Sequence, residues 1–205
     1  PDGAERSPRV LALMARALRA PPERVAGAVA RLPRRLKLRR RLRVEAADGS
    51  FRRPRALLAV DPEEWALIEA ACAEPPARVS PRYADPAVLA LIRAAGARRG
   101  LDSDRLGQLL AGPGRRSGEQ ATLALARYVA LQAARTPALR STLQLDRARW
   151  VPSADGSPRR PKELYWPDPA VEALIGAAPG RYVHPAFHHT VPEEVLAWLS
   201  YRGAD

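Results

Sequence analysis

Three histidines, His184, His188 and His189, fall within six residues, a density that raises the question of a metal site. No cysteine stands near them, and Pro185 interrupts the segment. With a three-residue gap, Val183-His184-Pro185 aligns with Val79-Ser80-Pro81, so the same surroundings occur without the histidine. The histidines are therefore expected to be satisfied or exposed side chains. The single cysteine, Cys72, lies on an apolar helical stretch and is expected to be a small buried hydrophobe. Phosphate binding by a P-loop needs Lys-Ser or Lys-Thr after a Gly-rich turn, but Lys37 precedes Leu38 and Lys162 precedes Glu163. No Gly-x-Ser-x-Gly elbow occurs. The expectation is a chain that is not an enzyme, with no catalytic residue, cofactor or metal ligand to assign.

The acidic residues point to structure before chemistry. Asp61-Pro62-Glu63-Glu64 offers a capping carboxylate, a proline at the first helical position and acids at the positive end of the helix dipole. Asp85-Pro86 and Asp168-Pro169 repeat the device, and Pro192-Glu193-Glu194 varies it. Helices are predicted near 62–73, 86–98, 169–178 and 192–202. Ser103-Asp104 predicts a further helix to about residue 110, Gly112-Pro113-Gly114 a break, and the apolar spacing from 119 to 134 a longer helix. Upstream, Val10, Leu11, Leu13, Met14 and Leu18 predict a helix over 8–20. Pro21-Pro22-Glu23 breaks it, and a second helix runs to about 32. Asp48-Gly49 and Asp155-Gly156 predict β-hairpins with type I′ turns, in which both residues take positive φ. Pro54 and Pro161 each remove a ladder donor, so the returning strands must be short or at an edge.

These elements occur twice at an offset of 107 residues. From Val44 to Ala71, sixteen of twenty-eight positions match their counterparts from Val151 to Ala178. Val88-Leu89-Ala90 answers to Val195-Leu196-Ala197, and Leu36, Leu38 and Arg40 answer to Leu143, Leu145 and Arg147. A register this long indicates a tandem duplication. The fold class expected is mainly α with short β-hairpins (α+β), as two helix–hairpin–helix units over 1–100 and 101–205. Asp48, Gly49, Asp61, Pro62, Asp85, Asp155, Gly156, Asp168 and Pro169 are assigned to turns and caps.

Hydrophobic residues make up 46% of the 205 residues but aromatics only 5%, which suits packed helices better than a β-sandwich. No run approaches the apolar length of a membrane span, so no membrane partner is expected. The unpaired cysteine leads to an expectation of a cytoplasmic location. The start at Pro1-Asp2, without an initiator Met, suggests a piece of a longer polypeptide. The net charge of +12 is uneven: residues 1–60 hold sixteen basic against five acidic residues, the remainder eighteen against seventeen. Arg greatly outnumbers Lys and Asn is absent, as in the bacterial-type composition of a GC-rich genome. One alternative function follows from the basic segment 31–43. Two helices, a basic segment and a hairpin follow the order of a winged helix, in which Arg34, Arg35, Lys37, Arg39, Arg40 and Arg41 would contact nucleic-acid phosphates. The second copy keeps only Arg140, Arg147 and Arg149 there.

Trp150-Val151-Pro152, Asp155-Gly156-Ser157, Arg160-Pro161, Leu164-Tyr165 and Asp168-Pro169 together resemble a unit of the sacsin-like family, over roughly residues 137–203. That family places such units downstream of domains with an HSP90-type ATPase fold. The first copy departs from the pattern, with Arg43-Val44-Glu45 in place of Trp-Val-Pro. The resemblance implies a helical scaffold segment of a chaperone-associated multidomain protein, binding proteins or other domains of its own polypeptide. The family's ATP site does not carry over, because its Asn-bearing helix and Asp-x-Gly-x-Gly loop are missing.

Overall fold

The computed structural model describes residues 42–176, 178–199 and 201. The expected helices before residue 33 and the basic residues up to Arg41 lie outside that range. The described chain is mainly helical with two small antiparallel sheets, an α+β arrangement. Its strands are β1 (Val44–Glu45), β2 (Phe51–Arg52), β3 (Val151–Pro152) and β4 (Pro158–Arg159). Its helices are α1 (Pro62–Ala71), α2 (Pro86–Ala94), α3 (Ser103–Ala111), α4 (Glu119–Arg135), α5 (Ala138–Thr142), α6 (Pro169–Ile175), α7 (Pro185–His188) and α8 (Glu193–Leu196). None is long and apolar enough to cross a membrane.

The chain divides into two compact units, Pro1–Pro62 with Pro76–Leu101, and Glu63–Pro75 with Asp102–Asp205. In the first, β1 pairs with β2 through Val44↔Arg52 and Glu45↔Phe51. Pro54 then turns the chain into a single 3-10 turn, because it cannot extend the ladder. Leu58 forms isolated parallel bridges to both Arg78 and Arg98, and Ala46 an antiparallel one to Val79. Val44, Leu57, Val79, Tyr83, Leu89 and Ile92 fill the core between this small sheet and α2. Asp85 caps α2 as expected, its Oδ1 accepting from the N–H groups of Ala87 (2.8 Å) and Val88 (3.1 Å).

The second unit is built around α4. Ten of its seventeen residues are buried, on nearly all sides, which is why its apolar pattern is not a narrow stripe. It packs against β3, α5, α7 and α8. Trp150, just before β3, is almost fully enclosed; its ring meets Phe187 edge-on at 5.8 Å and its Nε1–H donates to the Leu145 carbonyl at 2.8 Å. The segment carrying α1 belongs to this unit. Gln132 Nε2 and Arg135 Nη1 of α4 donate to the two carboxylate oxygens of Glu64, at 2.6 and 2.8 Å. The last carbonyls of α1, which a helix leaves without internal partners, accept from Arg116: its N–H reaches Ala71 at 2.9 Å and its Nε reaches Cys72 at 2.8 Å.

Three local expectations need correction. Only Gly49 (φ 80°) and Gly156 (φ 79°) adopt positive φ in their hairpins, so the turns are not type I′. Gly49 N–H donates to Ala46 O and Ala46 N–H to Ser50 O, closing a three-residue loop: a type I turn followed by a left-handed glycine. The cause is Asp48, whose Oδ1 accepts from the Ser50 N–H (2.9 Å) and hydroxyl (2.6 Å), a local bond made with ordinary backbone angles. Second, α3 is capped by Asp102 through Arg105 N–H at 2.9 Å, one residue before the expected Ser103. Third, the helices after the hairpins end earlier than periodicity suggests. After α2, for example, Gly96 (φ 109°) reverses the chain so that Arg98 can exchange backbone hydrogen bonds with Leu57 and Ala59.

Candidate interaction surface

The duplicated stretch folds the same way in both copies, down to individual backbone bonds. Ala47 N–H donates to Arg78 O at 3.0 Å, and Ala154 N–H to Tyr182 O at 2.9 Å. Ser80 N–H reaches Glu45 O at 2.9 Å, and His184 N–H reaches Pro152 O at 2.8 Å. Val79 with Leu58 and Val183 with Tyr165 complete the parallel, at 2.9 and 3.1 Å. The gapped alignment of Val79-Ser80-Pro81 with Val183-His184-Pro185 is thus also an alignment of backbone roles.

Within this frame the polar residues of the motif are engaged locally. Asp155 Oδ1 accepts from the Ser153 hydroxyl (2.7 Å) and the Ser157 N–H (2.9 Å). The Ser153 hydroxyl foremost, then the Ser157 N–H, holds the Asp155 carboxyl below the usual carboxylate value. The Ser50 hydroxyl does the same to Asp48. Asp168 caps α6 through Ala170 N–H at 2.7 Å, with Pro169 at the first helical position. Asp61 directly precedes Pro62, the first residue of α1, and its Oδ1 accepts from Arg93 Nη2 at 3.3 Å. The carboxylates of Asp48, Asp155 and Asp168 thus hold two turns and a helix end, and that of Asp61 an ion pair.

The histidines take structural places. His184 Nδ1 accepts from Ala186 N–H at 3.1 Å, capping α7, which leaves Nε2 to carry the proton facing Glu119 Oε1 at 3.1 Å. His188 stacks edge-on against Trp166 with ring centroids 4.0 Å apart, and burial, then His189, pushes its pKa below 6.5. Among the described residues no group of three His, Cys, Asp or Glu side chains could hold a metal ion. Cys72 is buried, and burial pushes its thiol pKa up, away from thiolate chemistry. Arg34, Arg35, Lys37, Arg39, Arg40 and Arg41 lie outside the described residues, so no geometry attaches to them.

Beside the second hairpin lies an open cleft of about 230 Å³. Pro167, Pro179, Pro185, Tyr182 and Val183 give it an apolar lining, and Glu172 of α6 is its one charged residue. Chain spacing around the hairpin is tight: a Cβ on Gly180 would meet Asp155 Oδ2 at 2.7 Å.

The least expected feature is α6 itself. Its sequence, Pro-Ala-Val-Glu-Ala-Leu-Ile, holds one charged residue in seven, yet none of residues 169–174 is buried and Leu174 is 76% exposed. Its counterpart α1 buries Glu64, Trp65, Ile68 and Ala71. Both are predicted as helices from their Asp-Pro starts, and Ala66-Leu67-Ile68 and Ala173-Leu174-Ile175 are identical, so nothing in that text separates them. The available signal was the exchange of Trp65 for Glu172 and Glu64 for Val171, which removes the two side chains that anchor α1.

The chain was compared with protein-family models, with curated proteins and with solved structures, and matches none of them.

Proposed function

We propose that this chain is a non-catalytic, protein-binding scaffold module. It consists of tandem helix–hairpin–helix units that hold a partner, or other domains of a larger, sacsin-like, chaperone-associated polypeptide. The observation that carries the reading is α6, whose Leu174 is 76% exposed, with the proline- and tyrosine-lined cleft alongside it. A leucine left open on a helix beside an apolar cleft costs solvation free energy, and together they fit a binding surface. The motif's carboxylates and histidines support the same reading, since they are engaged in caps and turns. The resemblance of Trp150-Val151-Pro152 and the Asp155-Gly156 turn to the sacsin-like unit supports the wider context. A cytoplasmic location accords with the free, buried Cys72.

Nucleic-acid binding is the alternative, favoured by the excess of sixteen basic over five acidic residues in 1–60. One experiment separates the two. Fluorescence anisotropy of the full chain is measured against amphipathic helical peptides and against unrelated duplex DNA over a salt series. The scaffold reading expects saturable peptide binding weakened by Leu174→Asp. Micromolar DNA binding with a steep salt slope, lost on changing Arg39, Arg40 and Arg41 to Glu and without peptide binding, would overturn it.

A further inference from the structure

The two hairpins share a frame but differ on one face. In the first, the fully buried Val44 pairs with Arg52, so alternation puts Phe51 and Arg53 on the other side of the ladder. Arg53 continues the extended backbone (φ −66°, ψ 142°), and buried Pro54 then fixes the turn that presents Arg55. Phe51 is 39% exposed, one of two large apolar side chains open to solvent among the described residues. Arg53 and Arg55 are exposed too, and no ion pair or hydrogen bond holds either guanidinium. In the second hairpin Pro158 stands in place of Phe51, and Arg160, the counterpart of Arg53, lies 3.9 Å from Glu163. The first hairpin has Ala56 where that acid stands. From Phe51 to Ala56 it reads Phe-Arg-Arg-Pro-Arg-Ala, with no acid, and only Arg52 is paired, to Asp48 at 2.6 Å. Opposite Phe51, the carboxylate of Glu45 is buried and neutralised by Arg82 at 2.7 Å, so it does not repel an anion there.

We infer that this face of the first hairpin binds single-stranded nucleic acid, with Phe51 stacking on a base and Arg53 and Arg55 holding the flanking phosphates. This function is additional to the protein-binding surface, which belongs to the second unit. An exposed ring beside free guanidiniums meets a base face and its phosphates together. In a duplex each base face is covered by its neighbours, so the ring selects for a single strand. An acidic peptide would engage the guanidiniums and leave the ring without a planar partner. The backbone on which Arg53 and Arg55 stand is already ordered by Pro54, so binding has less to immobilise.

Fluorescence anisotropy of the full chain with a labelled oligothymidylate of about ten nucleotides tests this. Phe51→Ala is expected to weaken binding at least about 5-fold, the loss of one base–aromatic stack, and to leave binding of unrelated duplex DNA unchanged. Phe51→Tyr keeps the ring and is expected to bind as wild type does. Phe51→Leu keeps an apolar side chain without a ring and is expected to lose as much as Phe51→Ala. It takes the place of that variant where circular dichroism departs from wild type. Changing Arg53 and Arg55 together to Gln is expected to lower the slope of log K against log salt by about 1.4, at 0.7 for each single-strand phosphate. Phe51→Leu binding as tightly as wild type, an unchanged salt slope, an equal loss on duplex, or no oligothymidylate binding at low salt would each overturn the inference. A labelled oligoglutamate peptide that binds more tightly than the oligonucleotide, and depends on Phe51, would overturn it in favour of an acidic protein. Helical-peptide binding through Leu174 is read separately, so its failure sinks the scaffold reading and not this one.

Discussion

Gly49 and Gly156 hold the same place in the two hairpins with nearly the same φ, 80° and 79°, but in different surroundings. A Cβ on Gly49 would meet nothing within 4 Å, whereas one on Gly156 would lie 3.0 Å from both Cβ and Cγ of Glu119 and 3.4 Å from its Cα. Gly49→Ala therefore carries only the left-handed backbone penalty, about 1 to 2 kcal/mol. Gly156→Ala adds the displacement of Glu119, whose backbone starts α4 and cannot swing aside, at about 1 to 3 kcal/mol more. Hydrogen exchange with peptide-level resolution reads each hairpin separately, through the N–H groups of Ala46 and Gly49 and of Ser153 and Gly156. At about 1.4 kcal/mol per factor of ten, exchange in the first hairpin should quicken roughly 10-fold and in the second roughly 100-fold or more. Glu119→Ala in the Gly156→Ala background removes one of the two 3.0 Å contacts and should recover part of the loss. Equal effects in the two hairpins would refute the close approach to Glu119. No effect in either would refute the left-handed glycine itself.

The Glu64 carboxylate, 3% exposed, accepts from both Gln132 and Arg135 of α4. Glu64→Ala should destabilise by about 1 to 3 kcal/mol in urea titration, because it leaves the half-buried Gln132 amide without its acceptor. Arg135→Ala should cost less than about 1 kcal/mol, since that side chain is 47% exposed and screened. Gly180→Ala should destabilise by about 1 to 2 kcal/mol through the 2.7 Å approach to Asp155, and be nearly neutral in an Asp155→Ala background; additive effects would refute the contact. His188 has a folded pKa below 6.5, so below that pH the unfolded chain binds more protons than the folded one. Stability should therefore be full above 6.5 and fall as pH drops through the lowered value; urea midpoints between about pH 5 and pH 8 should show a slope that His188→Gln flattens, and a rise on acidification would refute the sign.

What the sequence made legible was the part determined by nearest neighbours. Asp85-Pro86 and Asp168-Pro169 cap helices because the carboxylate, the proline and the first free N–H groups lie within three residues. The hairpins were placed correctly by Asp-Gly, but their loop type was not. Strands two residues long carry no alternation to fix the register, and Asp48 bonding to Ser50 at ordinary φ competes with the type I′ turn. Asp102, Ser103 and Asp104 are all good caps, and only the position of Arg105 N–H decides among them. The exposure of α6 was illegible for a different reason. Burial of a helix depends on what stands opposite, and α1 and α6 share their apolar text while only α1 carries the Glu64 that bonds to Gln132 and Arg135.

That contrast separates what the duplication holds constant from what it leaves free. The hairpin, the proline 3-10 turn and the crossing strand are joined by backbone bonds, so the frame survives Ser80 becoming His184, Tyr83 becoming Phe187 and Arg43 becoming Trp150. Backbone bonds read no side chains, and each copy can therefore rebuild its core around the same frame: Leu57, Tyr83 and Ile92 in one, Trp150, Phe187 and Leu145 in the other. Docking between helices has no such tolerance. It depends on Glu64 finding Gln132 and Arg135, and a single exchange at that position, to Val171, replaces a specified ionic contact with an apolar surface. The helices after the hairpins therefore diverge where they would touch a neighbour, at positions 64–65 and 171–172, while the repeated Asp-Gly text keeps the frame in which those helices are presented.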